Sequence, residues 1–163
     1  MTNPLEQNNR LPAFHAIKPE HAIPALERGL AANRALLAEK LEQGDFDFES
    51  LMVPLMAANE RLNRAWSPVR HLNSVMNSEA LRVEHDKGLP LMSEYWTDLG
   101  QNSALYEAVK AIRDSEQFEQ LDPAARRIVD DELRDFRLAG VALADEQKAR
   151  YKAINQKLSE LSS

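Results

Sequence analysis

Only five of the 163 residues are glycine, and no stretch alternates β-branched with polar residues as a half-buried strand does. Ala, Leu, Glu and Arg, which fit a helix at little cost, are abundant instead. Together these features predict an all-α fold: a multi-helix bundle formed as a single helical domain over residues 1–163. With 44% hydrophobic and 28% charged residues, the chain has enough apolar side chains to build a core.

Helix signals recur along the whole length. The first helix lies within PEHAIPALERGLAANRALLAEKLEQG, where Leu26, Leu30, Leu37 and Leu41 share one face and Gly44 stands just past the end. A second begins near Asp47, a good N-cap, with Leu51, Leu55, Leu62, Val69 and Met76 on one stripe. Pro54 and Pro68 are expected to kink or divide it. A third runs from about Ser78 to Leu99, with a bend expected at Gly88 and Pro90, and a short fourth holds Leu105, Val109 and Ile112. Asp122 followed by Pro123 starts the fifth, which presents Val129, Leu133 and Phe136 and stops at Gly140. The last, DEQKARYKAINQKLSELSS, places Tyr151, Ile154, Leu158 and Leu161 on one face. That periodicity persists to within two residues of the end, which leaves two readings open: a fragment of a longer chain, or a protein that ends in a helix.

Several functional classes are disfavoured. The net charge of −6 repels nucleic acid and anionic lipid. No apolar run approaches the ~20 residues that span a bilayer. The absence of cysteine rules out disulfides and thiol chemistry and suits a cytoplasmic location. Two ligands on one helix face must be three or four residues apart, yet none of His15, His21, His71 and His85 has a His, Asp or Glu at either spacing. His-Glu-x-x-His and glycine-rich phosphate loops are both missing. Asp130 and Asp131 are neighbours and so point about 100° apart. Catalytic, cofactor-binding and metal residues are therefore all expected to be none. His85, in line with Leu81, Met92 and Leu99, reads as a hydrogen-bonded core position, and Tyr95 with Trp96 as core and near-core.

The stretch SPVRHLNSVMNS, Ser67 to Ser78, is harder to place. At about 100° per residue Asn73 falls near the apolar stripe, flanked by Asn59 and Asn77, with His71 opposite. Asn73 is expected to be largely buried, with its amide hydrogen-bonded near a kink at Pro68.

With FESLMVPLMAANERLNRAW before it and LPLMSEYWTDLGQNSALYEAV after, this stretch resembles the N-terminal helical region of the thimet oligopeptidase and oligopeptidase A family of zinc peptidases, most of all its bacterial oligopeptidase A members. LPAFHAIKPEHAIPALERGL, RIVDDELRDFRLAGVAL and RYKAINQKLSELSS extend the resemblance from about Asn3 to Leu161. It implies the N-terminal part of a larger all-helical, two-domain zinc metalloendopeptidase (a hydrolase of short peptides). Its His-Glu-x-x-His zinc domain would lie beyond this chain, which would contribute channel wall and be inactive alone. The implied partners are the rest of the parent chain and, in the intact enzyme, short peptides, with no nucleic acid and no membrane. Zinc is implied for the parent and no cofactor for this part. A homodimer through Tyr151, Ile154, Leu158 and Leu161 is expected if that face is left bare. The alternative is a stand-alone helical protein-interaction module.

Overall fold

A computed structural model describes residues 3–7 and 11–161, and among these residues every regular element is helical. Three short 3-10 turns, Pro4–Glu6, Phe14–Ala16 and Pro19–His21, lead into α1 (Ala22–Gln43). A π-turn, Phe48–Met52, runs directly into α2 (Val53–Val75). Then come α3 (Glu79–Gly100), α4 (Ser103–Asp114), a 3-10 turn (Glu116–Gln120), α5 (Pro123–Leu138) and α6 (Asp145–Leu161). The fold is all-α.

The boundaries follow local chemistry. Asp47, Ser78, Asn102 and Asp122 each accept a backbone N–H of the following turn through the side chain, satisfying a donor that has no partner within the helix. Gly44 and Gly140 leave α1 and α5 with φ of 70° and 81°, a region that costs a residue with a Cβ.

The prolines are accommodated in different ways. Pro54 occupies the first turn of α2, where its missing N–H is not needed. Pro68 and Pro90 lie inside helices that continue past them. Pro90 is exposed, so water can reach the turn it disrupts, whereas Pro68 is buried and adds apolar contact. At Gly88 a Cβ would stand 2.3 Å from Cη2 of Trp66, so the missing side chain is the space that seats the indole.

Two apolar cores result. In one, α1, α2 and α3 enclose Leu26, Leu30, Leu62, Trp66, Val69 and Met92. In the other, the π-turn, α4 and α5 enclose Leu51, Val109, Ile112, Val129, Leu133 and Phe136. Leu99 touches both and joins them. Phe118 seals the second core, capped by the Arg113 guanidinium 4.1 Å from its ring centroid.

Three sequence expectations change here. Met76 is 71% exposed because α2 ends at Val75, so the stripe effectively stops at Val69. Asn73 is half-buried, and its Oδ1 is buried without a hydrogen-bond partner. On α6, Ile154, Leu158 and Leu161 face outward at 50%, 56% and 72% exposure, while Tyr151 is half-buried and leaves that outer face.

Candidate functional site

The four histidines are scattered. His21 accepts the Lys18 backbone N–H at Nδ1, 3.0 Å away, and its carbonyl accepts from Asn3. The His71 ring pairs with that of Phe14, their centroids 5.6 Å apart. His85 is buried, stacked on Trp66 with an interplanar angle of 9°, its Nδ1 3.2 Å from Asp86 Oδ1. Among the described residues, no group of three or more His, Asp or Glu side chains is placed to hold a metal ion. The residues present do not fit the zinc that the family resemblance implies for a parent enzyme.

What the fold does assemble is a cleft. From the end of the π-turn and α2 the i, i+3, i+4, i+7 series Met52, Leu55, Met56 and Asn59 faces it, and from α3 Tyr95, Trp96, Leu99 and Gly100 do so. From α5 and its C-cap it receives Glu132, Asp135, Phe136 and Ala139, the same spacing again. Leu105 and Val109 of α4 also line this space of about 290 Å³. At one end the C-terminal ends of α3 and α5 meet through their caps: a Cβ on Gly100 would come within 2.8 Å of Ala139 Cβ, and Gln101 Nε2 donates to the Ala139 carbonyl at 3.0 Å.

One wall of the cleft rests on a polar network tying α1, α2 and α3 together. The Tyr95 hydroxyl donates to Asn59 Oδ1 at 2.7 Å, and Asn33 Nδ2 donates to both, at 3.2 Å to the hydroxyl and 3.1 Å to the amide oxygen. Burial raises the Tyr95 pKa, so the phenol stays neutral and keeps its donor proton. Asn33 stands at a core register of α1 between Leu26, Leu30 and Leu37, where a polar side chain needs partners. That misplaced polarity was the signal available for finding the network.

On the opposite wall, Glu132 has no hydrogen-bond or ion-pair partner among the described residues, although its side remains open to solvent. Burial of its carboxyl, then the nearby Asp135 and Asp131, push its pKa above the usual carboxylate range. Asp131 and Asp135 differ in being held by arginines: Arg127 and Arg134 contact Asp131, and Arg134 contacts Asp135. Trp96 and Met56, 38% and 40% exposed, form the apolar lips.

Comparison with known proteins places this architecture. Residues 21–148 match the family described as Neurolysin/Thimet oligopeptidase, N-terminal domain. The chain belongs to this family. It is similar to Oligopeptidase A of Haemophilus influenzae, 45% identical over 163 residues that cover 100% of this chain and 24% of that protein. Oligopeptidase A of Salmonella typhimurium is 44% identical and that of Escherichia coli 43%, each over 162 residues, 99% of this chain and 24% of the relative. The chain thus spans about a quarter of the length of these relatives, and it corresponds to their N-terminal part. No helix among the described residues is long and apolar enough to cross a membrane.

α6, at the edge of the matched region, docks on α3 through a polar face. Lys152 Nζ donates to Glu94 at 2.8 Å and Asp98 at 3.0 Å, and Lys148, Tyr151, Asn155 and Ser159 are half-buried on the same side. Its three exposed apolar residues point the other way, the reverse of an ordinary surface helix.

Proposed function

We propose that this chain is the N-terminal helical region of an oligopeptidase A-like zinc metalloendopeptidase that hydrolyses short peptides in the cytoplasm. In that enzyme it builds channel wall, and another part of the parent chain supplies the zinc and the catalytic groups. The observation that carries this reading is the match of the full chain to about a quarter of each oligopeptidase A relative. The outward apolar face of α6 supports it, because three exposed aliphatic residues are worth about 1.5–3 kcal/mol each when fully buried, and the rest of the parent chain is the natural cover. A wall contributes by admitting unstructured peptides and excluding folded proteins, which alters selectivity without touching the reacting bond. When this chain is alone, two copies pair through Ile154, Leu158 and Leu161, with Tyr151 at the edge of the contact.

The test uses an internally quenched peptide, the parent enzyme and this chain in parallel. The parent should cleave the peptide, lose that activity to a chelator, and leave a folded protein intact. This chain, with added zinc, should show no turnover. Chelator-sensitive cleavage by the chain alone, or a parent without peptidase activity, would overturn the reading. Light scattering over a concentration series should show a dimer that Ile154→Asp with Leu158→Asp converts to monomer.

A further inference from the structure

We propose that the cleft between α2, α3 and α5 receives the side chain of an arginine or lysine carried by a peptide, its stem lying against Met56, Trp96 and Phe136 and its cationic head meeting Glu132. The inference rests on the parent's being a peptidase only in identifying the peptide as substrate; the cleft's preference stands on its own geometry.

Two features select this occupant. The walls are apolar on the α2 and α3 sides and acidic on α5, so the ligand must be apolar along its length and positively charged at its tip. An aliphatic side chain would leave Glu132 beside Asp135 and Asp131 without a counter-charge, and an acidic one would add to their repulsion. The neighbouring carboxylates already have arginine partners, whereas Glu132 alone of the three has none among the described residues, and it lies on the stripe that faces the cleft. Trp96, exposed at the lip, places an aromatic ring beside the path of a cationic side chain. The volume, about 290 Å³, suits one long side chain and not a folded segment. Asn33, Asn59 and Tyr95 satisfy one another, so this wall does not compete for the cationic head.

The first arm titrates this chain with N-acetyl-arginine amide and follows the Trp96 indole N–H by NMR, with N-acetyl-citrulline amide as a neutral probe of nearly the same shape. Saturable shifts of Trp96 are expected, with affinity for the arginine probe about fivefold or more above that for citrulline, which corresponds to about 1 kcal/mol. Glu132→Gln, nearly isosteric and on the surface, should erase that preference while the rest of the spectrum is unchanged. Equal response to both probes, no response, or an unaltered preference in Glu132→Gln overturns the proposal. The second arm measures the parent enzyme on two quenched peptides that differ only by arginine or citrulline. Glu132→Gln should raise KM about fivefold for the arginine peptide alone, with kcat unchanged. An arginine preference in the isolated chain that is absent from the parent shows that the parent's own structure covers the cleft, and it overturns the peptide as occupant. If the parent cleaves neither peptide, the peptidase reading fails, and the probe titration alone decides the cleft.

Discussion

Gly88→Ala sets two known effects against each other at one atom. In the middle of an exposed helix the change would stabilise by about 0.8–1.0 kcal/mol, because alanine loses less backbone entropy than glycine. Here the new Cβ would stand 2.3 Å from Trp66 Cη2, 2.6 Å from Cζ3 and 3.2 Å from Leu26 Cδ2. Ordinary contact begins at 3.4 Å, so the indole must retreat by 3.4 − 2.3 = 1.1 Å. It has little room: Trp66 is 5% exposed, and its other neighbours include the stacked His85 ring and the core side chains of α1 and α3. Overpacking of this kind costs about 1–3 kcal/mol, and a displacement of a rigid ring by 1.1 Å belongs to the upper half of that range. The clash therefore wins, and Gly88→Ala should lower stability by about 1–2 kcal/mol net. Urea unfolding followed by far-UV circular dichroism measures it without relying on tryptophan emission. Trp66→Phe removes the two clashing ring atoms, so adding Gly88→Ala to that variant should be neutral or stabilising, a coupling of at least about 1 kcal/mol across the cycle. Stabilisation of the unmodified chain by Gly88→Ala, or the same effect in both backgrounds, would refute the packing role.

Asn73→Leu should leave the urea midpoint unchanged or raise it, because the buried Oδ1 has no partner to lose; a drop of more than about 1 kcal/mol would mean that the oxygen is satisfied in solution. Glu132→Gln should raise the melting temperature at neutral pH. Its carboxyl pKa is raised in the fold, so the charged form costs stability above that value, and the advantage of glutamine should fade as pH falls toward the ordinary carboxylate range. A gain that persists unchanged in acid would contradict this. Lys152→Met should speed hydrogen exchange along α6 at neutral pH. The Lys152 hydrogen bond lowers the Glu94 pKa, so this contribution is present above the usual carboxylate value and lost as pH drops through the lowered one, where variant and original should converge.

The helix starts could be read directly from the sequence because each depends on one residue and its own following turn. Asp47, Ser78 and Asp122 act as caps where their positions indicated, and Gly44 and Gly140 mark the stops. The prolines could not be read that way: a proline breaks a helix only if the freed backbone groups find no remedy, and that depends on whether water or core surrounds the turn. Met76 illustrates another limit. Its phase on α2 is that of Val69, but the helix ends one residue earlier and the backbone turns away. Gly88 looked like a flexible point when judged by residue type alone, whereas its purpose appears only beside an indole 22 positions earlier in the chain. The cleft was the least visible feature. Trp96 and Tyr95 stood out by type, but Glu132 is one acid among many on α5; the approach of α2 and α3 sets it apart from Asp131, and the Arg134 contact to Asp135 sets it apart from Asp135.

α6 shows why a periodic pattern specifies a face but not its partner. Tyr151, Ile154, Leu158 and Leu161 fall on one side by spacing, and such a stripe ordinarily turns toward the nearest core. Here α3 presents Glu94 and Asp98 to the incoming helix, and two carboxylates side by side favour a cation over an aliphatic group. Lys152 supplies it, the helix rotates to deliver it, and Ile154, Leu158 and Leu161 are carried to the outside. The ion pairs are partly exposed, so each contributes only about 0–1 kcal/mol, less than burial of one aliphatic residue. Their value lies in orientation: they select which face of α6 meets α3 and leave the apolar face presented outward. If orientation is the role, replacing Glu94 and Asp98 by leucine should turn α6 over and bury Ile154 and Leu158 against α3, so that the proposed dimer is lost in light scattering without unfolding of the chain. A dimer that survives this double change would show that the outward face is set by something other than the lysine.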